Sequence, residues 1–185
     1  MHAESGTVLL ALARSAIERA LALPATGCVE SGQHDWLRQP GASFVTLTQR
    51  GQLRGCIGSL EARRPLANDV QHNAVAAALH DPRFVPLAAA ELRFTMVEVS
   101  VLSPAEPLEF DDETDALARL RPGLDGIVLE YGARRSTFLP QVWEQLPEPR
   151  DFLSQLKRKA GLGSDFWHPS ISLQRYSVAK FKESA

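Results

Sequence analysis

The sequence predicts an α+β fold in which helices pack against a largely antiparallel β-sheet. Apolar residues recur at helical spacing in some segments and alternate with period two in others. Two pairs of alternating segments are joined by short glycine-containing turns, at Arg50-Gly51-Gln52 and at Gly132-Ala133-Arg134-Arg135. Successive hairpins argue for antiparallel pairing, because parallel strands need a helical crossover between them. At 185 residues the chain can bury one good core, so residues 1–185 are expected to form a single domain.

Ser5 marks the start of a first helix running to about Leu23, with Val8, Leu9, Leu12, Ala16, Ile17 and Ala20 at helical spacing and Pro24 beyond. The segment from there to Gly41 holds Gly27, Gly32 and Pro40 and suits a long surface connection anchored by Trp36. Residues 43–61 read as a β-hairpin turning at Arg50-Gly51-Gln52. Pro65 fits the first turn of a helix through about His80; Leu66, Val70, Ala74, Ala77 and Ala78 form its inward stripe, and Asp81-Pro82 ends it. In the strand over 94–102, Thr95, Val97, Val99 and Val101 face the core, while Phe94, Met96, Glu98 and Ser100 face the other way. A short helix over 112–120 leads through Pro122-Gly123 and Asp125-Gly126 into a second hairpin, 127–131 with 136–139. Pro140 opens a short helix, residues 148–160 form another with Gly161 as its C-terminal cap, and a last strand over 173–181 closes the sheet.

The 20 basic and 22 acidic residues leave a net charge of −2, so the strong positive field that drives nucleic-acid binding is missing. The basic run Lys157-Arg158-Lys159 falls in the last turn of the predicted helix, where exposed positive charge complements the helix dipole. Cys28 lies in a polar loop and Cys56 in an apolar strand, which argues for a reducing compartment and for a loosely packed Cys28 apart from Cys56. The apolar stretch 7–13 has no preceding Lys or Arg and is followed by Arg14, Glu18 and Arg19, unlike a signal peptide. No run approaches the roughly twenty apolar residues that cross a bilayer, so a cytoplasmic protein with no membrane partner is expected.

Gly51-Gln52-Leu53-Arg54-Gly55-Cys56-Ile57-Gly58 resembles the signature region of the AMMECR1 family. Phe44-Val45-Thr46-Leu47, Asp81-Pro82-Arg83-Phe84, Val97-Glu98-Val99-Ser100-Val101-Leu102, Phe138-Leu139-Pro140-Gln141-Val142 and Lys159-Ala160-Gly161-Leu162 resemble further family blocks in the same order. The resemblance covers nearly the whole chain. It implies an α+β fold with a larger and a smaller subregion whose matched residues line a cleft. Prokaryotic members resemble protein A of the AmmeMemoRadiSam system, which implies a Memo-like protein and a radical S-adenosylmethionine enzyme as partners. Arg158 stands where many relatives carry another cysteine, so two-cysteine chemistry is not carried over.

Strict alternation over 53–58 sets Arg54, Cys56 and Gly58 on one face. A guanidinium beside a thiol favours the thiolate, and flanking glycines leave the backbone open to a ligand. The candidate catalytic residues are therefore Cys56, Arg54 and Glu98, and the candidate substrate-binding residues are Gly55, Gly58, Arg83 and Gln141. The competing reading makes Cys56 a small buried hydrophobe whose glycine neighbours permit close packing, and Arg54 the partner of a structural carboxylate. Glu98 needs a partner if its face is covered, and Arg54 and Arg83 are the cations available. His72 and His80 are about 12 Å apart along the predicted helix, too far to share an ion. There is no H-E-x-x-H, paired C-x-x-C, G-x-S-x-G or phosphate-binding glycine loop, so neither a metal site nor a cofactor is expected.

Two classes of function follow. One is an enzyme or substrate-handling component, acting with the Memo-like and radical partners through a cleft centred on Cys56. The other is a non-catalytic adaptor for protein partners. A nucleic-acid-associated regulator comes third and meets the charge objection.

Overall fold

The computed structural model describes residues 3–26 and 34–184, and the expectation for Cys28 lies outside them. The chain divides into two compact units, Met1–Leu102 with Ala179–Ala185, and Ser103–Val178.

The first unit holds α1 (Ala3–Ala20), α2 (Asp35–Arg38), β1 (Pro40–Gln49), β2 (Gln52–Gly58), β3 (Arg64–Pro65), α3 (Leu66–Leu79), a 3-10 turn (Ala89–Phe94), β4 (Thr95–Leu102) and β9 (Val178–Lys182). Its sheet runs β2-β1-β4-β9, with β3 paired beside β1. The hairpin closes through Arg50 and Gly51, both at positive φ (52° and 79°), the handedness that matches a two-residue turn to the twist of its strands. Val45, Leu47, Val97, Val99 and Val101 on one face pack with Leu9, Leu12 and Ile17 of α1 and with Val70, Ala74 and Ala77 of α3. Each buried Val, Leu or Ile side chain of this set stabilises the fold by roughly 1.5–3 kcal/mol relative to exposure.

Helix α1 begins at Ala3, so Ser5 lies inside it and does not cap it. It ends in paired bonds, Ala22 N–H to the Arg19 carbonyl and Leu23 N–H to the Glu18 carbonyl, around the left-handed Ala22. In the segment expected to be a plain surface connection, α2 buries Leu37 completely, while Trp36 is only partly buried. A buried polar cluster missing from the sequence reading ties β1 to α3. Asp69, fully buried, accepts from the Ser43 N–H and Oγ, from Ser59 Oγ and from Asn73 Nδ2. With every oxygen supplied, the cluster is a structural tie.

The second unit holds β5 (Glu106–Leu108), α4 (Glu113–Arg119), β6 (Gly126–Tyr131), β7 (Arg134–Phe138), a 3-10 turn (Pro140–Glu144), α5 (Pro149–Lys159) and β8 (Ser172–Tyr176), in a sheet ordered β5-β8-β6-β7. Ile127, Leu129 and Leu173 meet Phe152, Leu153 and Leu156 of α5, and Trp143 stacks on Phe152 at 3.8 Å between ring centres. Asp112 caps α4 by accepting from the Asp115 N–H, and Gly161 at φ 74° ends α5.

The antiparallel α+β expectation holds in both sheets. Two further details differ from the expectation. The single closing strand over 173–181 is two strands in different sheets, and at the junction Ser177 gives its carbonyl to the Ser103 N–H. The apolar alternation is the same in either sheet, so the sequence carries no mark of the change. Lys157 is not part of a solvated basic turn: it is 2% exposed, and its Nζ donates to Glu113 Oε1 at 2.7 Å. Among the described residues no helix is long and apolar enough to cross a membrane.

Candidate functional site

Cys56 lies on β2, the edge strand of the first sheet. It stands opposite Thr46 of β1, which on its other side stands opposite Glu98 of β4. Directly opposed residues project to the same face, so Cys56, Thr46 and Glu98 form a row across three strands, on the face turned away from Val45, Leu47, Val97 and Val99. At about 4.8 Å per strand, Cys56 and Glu98 are about 10 Å apart. Thr46 Oγ1 donates to Cys56 Sγ at 3.4 Å, and all three side chains are half-buried. The Glu98 carboxylate has no hydrogen-bond or ion-pair partner among the described residues.

A β-bulge sets this register. Gln49 opposes Gln52 and Thr48 opposes Leu53, but Leu47 opposes Gly55, which leaves Arg54 without a partner. Counted back from the turn without that slip, Cys56 would oppose Val45 and point into the core. The extra residue turns the thiol outward. It also overturns the expectation that strict alternation puts the Arg54 guanidinium beside Cys56. Arg54 donates to Glu91 Oε1 at 3.3 Å and Oε2 at 3.2 Å, and to the Val85 carbonyl at 3.0 Å. Glu91 is held below the usual carboxylate range by the Ala88 N–H and next by Arg54, against the opposing effect of burial.

The cation beside Cys56 is Arg83. The outward N–H of Cys56 donates to Asp81 Oδ2 at 2.8 Å, and its carbonyl accepts from Arg83 Nη2 at 3.1 Å. Arg83 and Asp81 are joined in turn, Nε to Oδ1 at 2.9 Å and Nη2 to Oδ2 at 2.7 Å. Edge strands leave such backbone groups unpaired, and here two side chains of the Asp81-Pro82-Arg83 turn supply the donor and acceptor that a neighbouring strand would give. The Arg83 hydrogen bonds hold the Asp81 carboxyl well below its usual range despite burial, with help from the Cys56 and Arg83 N–H groups. Arg83 is raised above its ordinary value, chiefly by Asp81 and to a lesser degree by Cys56.

The glycines beside Cys56 fit the close-packing alternative. A Cβ on Gly55 would lie 2.2 Å from the Ala77 carbonyl oxygen of α3, and one on Gly58 would lie 2.2 Å from the Phe44 ring. Glu98 takes neither of its expected partners, since Arg54 holds Glu91 and Arg83 holds Asp81. Gln141 lies in the second unit, exposed in the 3-10 turn Pro140–Glu144. No group of three or more His, Cys, Asp or Glu among the described residues could hold a metal ion. The candidate set lacked Thr46 and Asp81. Both stand inside segments that resemble family blocks, but only register links Thr46 to Cys56, and the aspartate preceding Pro82 carries an ordinary turn signal.

A family model described as AMMECR1 matches residues 10–181. The chain is 38% identical over 182 residues to a protein of Methanothermobacter thermautotrophicus, covering 97% of this chain and 95% of the other. It is 36% identical over 196 residues to a protein of Thermofilum pendens, covering 100% and 92%. The crystal structure of Uncharacterized Protein PH0010 from Pyrococcus horikoshii is similar with a TM-score of 0.79 at 32% identity, covering 100% of this chain and 94% of that one.

Proposed function

Because this chain belongs to the AMMECR1 family, we propose that it is a substrate-handling component whose working group is the Cys56 thiol, acting with a Memo-like protein and a radical S-adenosylmethionine enzyme. One observation carries the reading: the bulge at Arg54 turns Cys56 out of the core and beneath the Thr46 hydroxyl, beside the Arg83 guanidinium. A cysteine wanted only as a small apolar filler needs neither the bulge nor a hydroxyl donor on its sulfur. On this reading Glu98, on the same face about 10 Å away and without a partner among the described residues, meets the far end of a substrate held at the sulfur. The partners rest on the family relationship.

The thiolate is the reactive form of a cysteine, and hydrogen-bond donors and positive charge at the sulfur stabilise it. The test is the rate of iodoacetamide alkylation of Cys56 in folded protein with Cys28→Ser as background, read by mass spectrometry. Arg83→Gln and Thr46→Val should each slow labelling, on the order of tenfold for the charged partner, while Arg54→Gln leaves the rate unchanged. If Cys56 stays unlabelled until the protein unfolds, the reactive-thiol reading is wrong. A non-catalytic adaptor is the second reading, favoured by the apolar side chains exposed around Arg54.

A further inference from the structure

Large apolar side chains collect at the turn end of the first sheet: Leu53 is 44% exposed, Val85 76% and Phe94 60%. Leu53 and Phe94 line a concavity of about 450 Å³ together with Gln49, Arg50, Arg54 and Glu91. Val85 adjoins it, because its carbonyl is the one Arg54 holds. The polar groups of the floor are bonded to one another. Arg54 is engaged by both Glu91 oxygens, and Glu91 also accepts from the Ala88 N–H at 2.8 Å and from Gln49 Nε2 at 3.3 Å. A side chain laid over this floor strips no bonded polar group of its partner.

The nearby cations are different. Arg50 and Arg93 are exposed, and neither has an ion-pair partner among the described residues. The Arg93 guanidinium lies 4.4 Å from the centre of the Phe94 ring, which holds that ring in an outward position. Arg50 sits in the two-residue turn and Arg54 clamps β2 to the segment carrying Val85 and Glu91, so the concavity exists before any partner arrives. Apolar walls, a neutral bonded floor, Arg50 in the wall and Arg93 stacked on the Phe94 ring define the complement.

We propose that this surface docks a protein segment bearing an apolar side chain flanked by carboxylates. The apolar side chain enters between Leu53 and Phe94, and the carboxylates meet Arg50 and Arg93. An anionic membrane fits less well, because each cation near such a surface contributes only about 1 kcal/mol and two arginines make a weak attraction. Nucleic acid is opposed by the net charge of −2. The surface contains neither Cys56 nor Thr46 and stands whether or not that thiol reacts.

The test uses the full chain and a fluorescein-labelled twelve-residue peptide with two leucines flanked by glutamates in a glycine-serine background, followed by fluorescence anisotropy. Two control peptides carry lysine for glutamate and serine for leucine. The leucine-glutamate peptide should bind, and both controls should bind at least tenfold more weakly. Phe94→Ser should weaken binding at least tenfold without lowering the melting temperature, since the ring is exposed. Combined Arg50→Glu and Arg93→Glu should transfer the preference to the leucine-lysine peptide. No binding of the first peptide, binding indifferent to Phe94→Ser, equal binding of the serine control, or stronger binding to phosphatidylserine vesicles would each overturn the proposal. All measurements are repeated with Cys56→Ser, where the same affinities are expected, so failure here is distinct from failure of the thiol reading.

Discussion

Asp81 shows how one side chain can satisfy the open backbone of an edge strand. Its side chain is 2% exposed, and it accepts from the Cys56 N–H, the Arg83 N–H and the Arg83 guanidinium. Because its folded pKa lies below its unfolded value near 3.8, it contributes stability that is fully present above that pH and is lost as pH falls toward the folded value. Asp81→Asn should lower stability by about 2 kcal/mol at pH 7. Wild type and variant should converge by about 1 kcal/mol between pH 5 and pH 3, where only the unfolded carboxyl takes up a proton. Urea titrations at several pH values measure this, and a gap that stays constant down to pH 3 would contradict an ionised, bonded Asp81. Sequence made Cys56, Arg83 and Glu98 visible, because a thiol, a guanidinium and a mid-strand carboxylate each break an apolar pattern. It misplaced Arg54, because period-two counting has no term for an inserted residue, and a slip of one reverses every side chain beyond it. Thr46 was invisible for the same reason, since an unbroken ladder would put it opposite Gly55.

Among the elements, the hairpins, α3 and α5 were legible, because each carries both a periodic apolar stripe and a residue that stops it: Gly51, Gly132, Asp81-Pro82 and Gly161. The exchange of sheets at Ser177 was not legible, and neither was the burial of Lys157, whose partner Glu113 lies on another helix. Within the motif, the two glycines separate an immovable contact from a yielding one. Alanine at Gly55 meets the backbone carbonyl of Ala77 at 2.2 Å, and α3 cannot retreat without opening the core around Ala74 and Ala77. Gly55→Ala should therefore lose about 3 kcal/mol or more. Alanine at Gly58 meets the Phe44 ring, a half-buried side chain able to rotate away, and should lose about 1 kcal/mol. Phe44→Ala should cost less in the Gly58→Ala background than in the wild type, because it removes the ring that the new methyl meets, whereas no change at Phe44 should help Gly55→Ala. Equal losses at the two glycines in urea unfolding would show that the packing account of this motif is mistaken.

For the molecule as a whole, the consequential feature is that the first unit is interrupted. Its sheet is left at Leu102 and completed only by β9, after the second unit's own core has been built from residues 103–178. The last sheet contact thus joins residues far apart in sequence, which makes closure of β9 an entropically demanding step. Glu183 anchors it. Its Oε1 and Oε2 each accept from Arg14 of α1 at 2.5 Å, and Oε2 also accepts from the Val97 N–H of β4 at 2.8 Å. Its own N–H donates to the Val97 carbonyl at 3.1 Å, so one residue binds the returning strand to both a helix and the sheet. Arg14 is raised above its ordinary value, chiefly by this hydrogen-bonded carboxylate and against desolvation, and donates as well to the Thr95 carbonyl. Glu183→Gln keeps the shape but removes the charge, and should lower stability by about 1–2 kcal/mol. The loss should be local. Hydrogen exchange should quicken first in β9 and at the Val97 amide, while β6 and β8, whose core is built from Ile127, Leu129, Leu173 and α5, keep their protection. Exchange that quickened equally in β6 and β8 would mean that the returning strand is not an independently opening element. Protection unchanged in β9 would mean that Phe181, packed against the first unit's core, holds the strand without help from the ion pair.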